Sequence, residues 1–278
     1  MSRIRTIGAL ALALATFAIA QDTITLKREL KTGAKDVYKV VAETKTLIDV
    51  PSMGEQEMTM KSSMNYALTT GEVDGTSAKV ALSISDIENK VEGPMADMMQ
   101  GMPEMPKEFK FNGKLDSQNR LSDMKLDGKM DMATMMMAST TSTMNMFVEY
   151  PSGAVKIGDS WDVVIPKNPM LGNEDTKFKA TLVGEKDGKW VLKMNGELKI
   201  KLDMGELMKG QDPTGTGMEM QMVMTGTMKV DTDAIVDKVT GKTTEMTTAL
   251  DSISVIDIVN MGIKTDQKAK GTIKMTLQ

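Results

Sequence analysis

The sequence predicts a mainly β protein. It should have curved antiparallel sheets from two similar halves, arranged as an open half-barrel or sandwich-like pair. Three observations carry this. Apolar and polar residues alternate with period two over most of the 278 residues. Asp-Gly and Asn-Gly pairs, the chemistry of tight hairpins, punctuate the alternating runs. Helical spacing is confined to two methionine-rich stretches near 94–108 and 130–148, where one or two short helices are expected.

In chain order, residues 1–20 are expected to be a signal peptide. Arg3 and Arg5 form a basic start, Ile7 to Phe17 a short apolar run, and Ala18-Ile19-Ala20 a small-x-small cleavage site before Gln21. The run is too short for a membrane span, and no later stretch qualifies as a transmembrane helix. Cleavage after Ala20 implies an exported protein, periplasmic or extracellular in a bacterium. The chain has no cysteine, so disulfides do not staple the fold and a lipoprotein acyl anchor is ruled out. Its formal charge of −4 shows no basic domain, which argues against nucleic acid as a partner.

A first half, 21–149, and a second half, 150–278, follow. In the first, Met58, Met60, Met64 and Tyr66 alternate with polar residues, as do Ala78, Val80, Leu82 and Ile84. Asp74-Gly75 lies between these two runs as a turn. Pro94 to Glu108 carries Met95, Met98, Met99, Met102 and Met105 among prolines that limit any helix to a short one. Asn112-Gly113 and Asp127-Gly128 mark further turns or bulges. The helix expected near 130–148 rests on Met132, Met135, Met136, Met144 and Phe147 at near-helical spacing.

In the second half Trp190, Leu192 and Met194 alternate with lysines, and Leu198, Ile200 and Leu202 continue in phase beyond Asn195-Gly196. A hairpin there would turn Lys199 and Lys201 inward, so one long strand with a bulge or bend at Gly196 is expected. Asp187-Gly188 is a hairpin signal. Met218, Met220, Met222, Met224 and Met228 alternate once more. The halves also match in order. Leu68 to Gly75 parallels Leu182 to Gly188, Leu115-Asp116 to Asn119 parallels Val236-Asp237 to Gly241, and Gly33 before Tyr38 parallels Gly158 before Trp161. Duplication of one β unit is one explanation.

The search for chemistry is mostly exclusion. Without histidine or cysteine there is no Ser-His-Asp or Cys-His constellation and no histidine-based zinc site. Ser122-x-x-Lys125 lies on an alternating run beside a turn, where that pair has no helix start to work from. Gly241-Lys242-Thr243 lacks the earlier glycine of a phosphate loop, Val236 standing there. Asp231, Asp233 and Asp237 lack the glycine and glutamate of a calcium loop. No cofactor is implied, and a non-enzymatic protein is expected.

Methionine is the unusual feature, at 30 residues. Its unbranched side chain repacks cheaply against varied apolar partners. Met58, Met60, Met64, Met218, Met220, Met222 and Met224 are therefore the candidates for lining an apolar ligand, a lipid or a partner's hydrophobic segment. Packing against one another, or against the 130–148 segment, is the competing structural role. The alternative chemistry is Cu(I) or Ag(I) bound by thioethers, for which Met95, Met98, Met99, Met102 and Met105 are the candidates.

Pro151-x-x-x-Val155-x-x-Gly158-Asp159-x-Trp161 lies at the seam of the halves. With Leu26 to Tyr38 and the Asp237 to Gly241 turn, it resembles a family of uncharacterised exported bacterial proteins that carry this motif between two β-rich halves. The resemblance implies a fold but no activity or catalytic residue. The chain departs from related exported proteins in its methionine load and in lacking a lipoprotein cysteine. In architecture the pattern is similar to periplasmic lipoprotein carriers, a curved sheet over an apolar groove. Gly158 and Asp159 are expected to launch the second half's first strand. Trp161 is expected to plug that half as Tyr38 plugs the first, so that Trp161→Ala would cost about 3–5 kcal/mol.

Overall fold

A computed structural model describes residues 23–50, 54–94, 96, 107–128, 147–167, 174–203 and 222–278. Eleven strands form one sheet: β1 (Lys35–Val50), β2 (Gly54–Asp74), β3 (Ser77–Glu92), β4 (Glu108–Asp116), β5 (Leu121–Leu126), β6 (Ser160–Ile165), β7 (Thr176–Lys186), β8 (Lys189–Asp203), β9 (Met222–Asp237), β10 (Thr243–Ile258) and β11 (Ile263–Leu277). Their order is β5-β4-β3-β2-β1-β11-β10-β9-β8-β7-β6, with every neighbour antiparallel. Each half is a meander, and β1 joins β11 at the centre. The strands β5 and β6 stay unpaired on their outer sides, so the curved sheet is open. The half-barrel expectation holds, and the sandwich does not, because there is a single sheet.

The period-two pattern produces this directly. Val, Thr and Tyr fill β1, residue types that fit a pleated, half-buried surface. Tyr38 and Val40 point inward, and Lys39 and Val41 point outward. Phe178, Ala180 and Leu182 on β7, and Leu192, Met194 and Leu198 on β8, form an inner face in the same way. Gly75 and Thr76 make the β2–β3 turn with Gly75 at φ +58°. Asp187 (φ +51°) and Gly188 (φ +75°) make the β7–β8 turn, the positive-φ pair that a two-residue hairpin needs.

The strand β8 is continuous through Gly196, but its pairing with β9 shows no shift of register there. The expected bulge is absent. Glycine is required for another reason: a Cβ at this position would overlap the ring of Phe178. The register shifts fall elsewhere, among them Asn112/Lys114 between β4 and β5, Leu182/Gly184 between β7 and β8, Ser63/Asn65 and Thr70/Val73 between β2 and β3, and Thr243/Glu245 between β9 and β10. A 3-10 turn at Val259–Met261, between β10 and β11, was not anticipated. The helix expected near 130–148 lies outside the described residues apart from Phe147 and Val148, which are buried and irregular. The one near 94–108 lies outside them for most of its length.

Two irregular segments, 23–34 and 147–159, cross one end of the sheet. Ile24 and Val155 exchange backbone hydrogen bonds at 2.7 and 2.9 Å. The Arg28 amide donates to Ser117 O and the Glu29 amide to Thr240 O, while the Tyr150 amide donates to Gln118 O. Each segment thus reaches turns of the opposite half. Beneath them lie two apolar clusters. One holds Tyr38, Leu68, Leu82, Phe109, Phe111 and Phe147, and the other Leu26, Val148, Tyr150, Val163, Phe178 and Leu192. Met246 packs against both.

The halves repeat their backbone bonds. Gly33 (φ +80°) donates to Thr70 O, Thr70 donates to Ala34 O, and Ala34 donates to Lys31 O. Gly158 (φ +95°) donates to Leu182 O, Leu182 to Asp159 O, and Asp159 to Lys156 O. Asn119 (φ +64°) and Gly241 (φ +62°) occupy matching turns, where the carboxylates of Asp116 and Asp237 accept the following amides. Those amide donors hold the Asp237 carboxyl below the usual carboxylate range.

This correspondence corrects the role expected of Trp161. Counting from the paired glycines, Trp161 matches Asp36, and Tyr38 matches Val163. Tyr38 is fully buried, whereas Trp161 is only half-buried and donates its indole N–H to Glu149 O at 2.8 Å. Trp161→Ala is therefore expected to cost about 2 kcal/mol, below the range for a fully buried ring. Urea unfolding would measure it, and a loss above 4 kcal/mol would contradict the half-buried placement.

Candidate functional site

The crossing segments cover only one end of the inner face. Toward the other end, β1, β2, β8, β9, β10 and β11 run on with their alternation intact, and each packs chiefly against its sheet neighbours. On β9 and β10 this stretch runs from the level of Leu250 to that of Ile258, roughly 27 Å at the usual rise per residue.

The register assigns each side chain here to a rung across the sheet. One rung runs Met58, Thr46, Ala269, Ser252, Met228 and Leu198. The next runs Gln56, Ile48, Gln267, Ser254, Gly226 and Ile200, and beyond it Thr265, Ile256, Met224 and Leu202. The middle of the face mixes small and hydroxyl residues, Thr46, Ala269, Ser252 and Ser254, with the larger Ile48, Gln267 and Ile256. Methionine and aliphatic side chains stand on either side. Most are half-buried, Met60 is 39% exposed, and Thr46, Ser254 and Leu202 are buried.

Of the sequence candidates, Met58 and Met60 on β2 and Met222 and Met224 on β9 belong to this stretch, whereas Met64, on the same face, packs against the covered Tyr38 cluster. The two rows are not adjacent. The strands β1, β11 and β10 separate them, about 19 Å across the sheet at ordinary strand spacing. The two rows are therefore not neighbours within the sheet. Met218, Met220, Met95, Met98, Met99, Met102 and Met105 lie outside the described residues.

The second arrangement, a buried polar node between the apolar clusters, is missing from the sequence reading. Arg28 is 1% exposed. Its Nη2 donates to Asp36 Oδ2 at 2.6 Å and its Nη1 to Asn119 Oδ1 at 2.8 Å, and its guanidinium carbon sits 4.9 Å from the Phe147 ring centre. Lys242 Nζ donates to Asp36 Oδ1 at 2.6 Å. Asn119 Nδ2 donates to Val148 O, Arg120 Nε to Glu149 Oε2, and Tyr150 Oη to Gly241 O. These bonds tie the N-terminal segment, the β4–β5 turn, the linker and the β9–β10 turn into one knot. A signal existed: Arg28 lies in phase with Leu26 and Leu30, and Asp36 in phase with Tyr38. A charged residue in an apolar phase marks a buried pair.

Burial raises the phenol pKa of Tyr38, with the Arg28 charge opposing, and raises that of Tyr150, so both stay protonated at physiological pH. Tyr38 Oη and Thr243 Oγ1 are buried without a hydrogen-bond partner. The buried charges of the node, Arg28, Asp36 and Glu149, are each met by a partner, while Lys242 and Arg120 reach solvent at its edge. That is an arrangement for holding segments together, not for meeting a substrate.

Among the described residues, no three carboxylates come together as a metal site. No helix among them is long and apolar enough to cross a membrane. Gly158, Asp159 and Trp161 shape the start of β6. The Lys156 amide donates to Asp159 Oδ2 at 2.8 Å, a turn contact and not a binding feature.

The model of a family of unknown function, DUF6263, matches residues 126–243. None of the curated proteins matches the chain. One solved structure, described as lipid-protein interactions in lipovitellin, overlaps it with a TM-score of 0.47 and 9% identity. The overlap covers 90% of this chain and 25% of the other, so the chain spans a quarter of that protein's length.

Proposed function

We propose that the protein is exported, with its signal peptide removed after Ala20, and binds an apolar ligand without catalysing a reaction. The ligand lies along the inner face, between the methionines of β2 and those of β9. The observation that carries this is a sheet, single-layered among the described residues, whose inner face outruns the two segments that cover it and there carries methionine and aliphatic side chains among hydroxyl and amide groups. A long apolar face normally packs on a second layer, and none of the other described segments supplies one here. Methionine suits a face that must accept varied chains, because it adapts its shape at low cost.

The magnitudes are sufficient. Burying about ten methylenes at ~0.8 kcal/mol each gives roughly 8 kcal/mol, the scale of a micromolar complex before ordering costs. A lipid or a partner's hydrophobic segment has this chemistry. The two halves, 21–149 and 150–278, would be copies of one unit, each contributing one methionine row.

The test is organic extraction of the full chain purified from its exporting cells, followed by lipid mass spectrometry. Near-stoichiometric lipid is expected. The Met60→Glu, Met224→Glu variant should carry at most about a tenth as much. Protein that yields no lipid and fails to bind a fluorescent fatty acid would overturn the proposal.

A further inference from the structure

The uncovered stretch of the inner face is polar in places but carries no charge. Among the described residues, no inward position on β1, β2, β8, β9, β10 or β11 beyond the level of Thr44 holds an ionisable side chain. The chain is 26% charged, and the charges at these levels sit in the alternate phase. Lys45, Glu57, Lys201, Lys229, Asp251 and Lys268 all face the opposite side of the sheet and are exposed. Successive side chains of a strand point to opposite faces, so these charges lie across the sheet from anything seated inside.

The uncharged polar groups are also gathered in one place. Thr46 and Ser252 stand opposite Ala269 on one rung, Gln267 stands opposite Ser254 on the next, and Thr265 follows on β11. These residues occupy three adjacent strands at the centre of the sheet, among Ile48 and Ile256. Thr46 and Ser254 are buried and the others half-buried. Ser252 Oγ meets Ala269 O only at 3.5 Å, long for a hydroxyl. Hydroxyls and an amide offer donors and acceptors alike. Toward β8 and β9 the inward residues are Leu198, Ile200, Leu202, Met222, Met224 and Met228, and beyond Gly196 neither strand turns a polar side chain inward.

We propose that the ligand of this face is a neutral amphiphile. Its acyl or alkyl chain lies on the β8–β9 side, and its ester, amide or hydroxyl group meets the strip of Thr46, Ser254 and Gln267. The inference rests on the apolar-ligand reading and narrows it to uncharged lipids. Two costs set the preference. An ester or hydroxyl loses its water on docking, and the strip replaces those hydrogen bonds. An ionised carboxylate, phosphate or ammonium group finds no opposite charge on the inner face, so its dehydration is uncompensated. Such a lipid must keep its head in water and lift part of its chain off the face, which gives up apolar burial. The strip therefore selects on charge, while the methionines accept chains of varied shape.

The test is displacement of a neutral naphthylamine dye from the full chain by lipids of equal chain length. The competitors are dodecanoylglycerol, dodecanoate and dodecylammonium at about pH 8, where an ordinary carboxyl group is ionised and an alkylamine protonated. Dodecanoylglycerol is expected to act at about a tenth of the concentration either ion needs, or lower. Gln267→Lys places a cation on the strip and should move dodecanoate toward or past dodecanoylglycerol, with dodecylammonium left the weakest. Lys268→Gln, next in sequence but on the outer face, should alter none of the three. The comparison on the unsubstituted chain needs no variant, so it decides even where Gln267→Lys unfolds. Equal potency of the neutral lipid and the two ions would overturn the inference and leave the apolar-ligand reading standing. So would an unchanged order in a folded Gln267→Lys protein. Displacement by none of the lipids would overturn both readings.

Discussion

Asp36→Ala is expected to destabilise the protein by about 3–5 kcal/mol, the cost of stripping one partner from a buried ion pair. The carboxylate accepts from Arg28 at 2.6 Å and from Lys242 at 2.6 Å. Removing it leaves the buried guanidinium with only Asn119 and the Phe147 ring. Lys242 keeps part of its hydration, so Arg28 bears most of the loss. Replacing both buried partners with apolar residues, Arg28→Met with Asp36→Leu, should recover much of the stability, because the uncompensated charge is then gone. Urea unfolding of the two variants measures both effects. A cost below 1 kcal/mol for Asp36→Ala would mean that the node is not closed as described.

Gly241→Ala is the second large effect, about 3 kcal/mol or more. Two penalties combine. The residue sits at φ +62°, where an added side chain is strained by roughly 1–2 kcal/mol. The new Cβ would also overlap the Lys27 carbonyl oxygen and lie 2.6 Å from its carbon and 2.8 Å from Arg28 Cα. These are backbone atoms and cannot rotate away, so the N-terminal segment must lift off the β9–β10 turn. Gly158→Ala separates the two penalties, for its φ of +95° is at least as unfavourable for a side chain but nothing lies within 4 Å. Thermal unfolding should rank Gly241→Ala well below Gly158→Ala, with proteolysis near Lys27 enhanced only in the former. Equal melting temperatures would exclude the backbone overlap.

Most of the fold was legible because a strand writes its burial with period two. Leu192 to Leu202 could be assigned to one face before any pairing was known, and Asp187-Gly188 located its turn. Gly196 was read from the same logic and still given the wrong cause. Its constraint comes from Phe178 on a neighbouring strand, which local pattern does not contain. Trp161 was matched to Tyr38 because each is the aromatic that follows a glycine, but they stand three and five residues beyond it, and the repeated backbone bonds align residues by that distance. The β1–β11 pairing has no local signature, and the single-layered sheet follows from it. For the site, Met58, Met60, Met64, Met222 and Met224 share the inner face, as their alternation alone places them. That three strands, β1, β11 and β10, separate the two rows within the sheet depends on strand order. Arg28 and Asp36 were passed over because their charge conceals an inward phase.

The central seam also bears on how the chain reaches this state. Every pairing except β1 with β11 joins strands consecutive in sequence. The seam brings together residues about 230 positions apart, and closing a loop of that length has an entropic cost that only later contacts offset. The two meanders are therefore free to assemble by local zippering, each around its own apolar cluster. Until they meet, the inward-facing strand edges of β1 and β11 are unpaired. That interval is when a newly made chain is most open to pairing with another copy of itself.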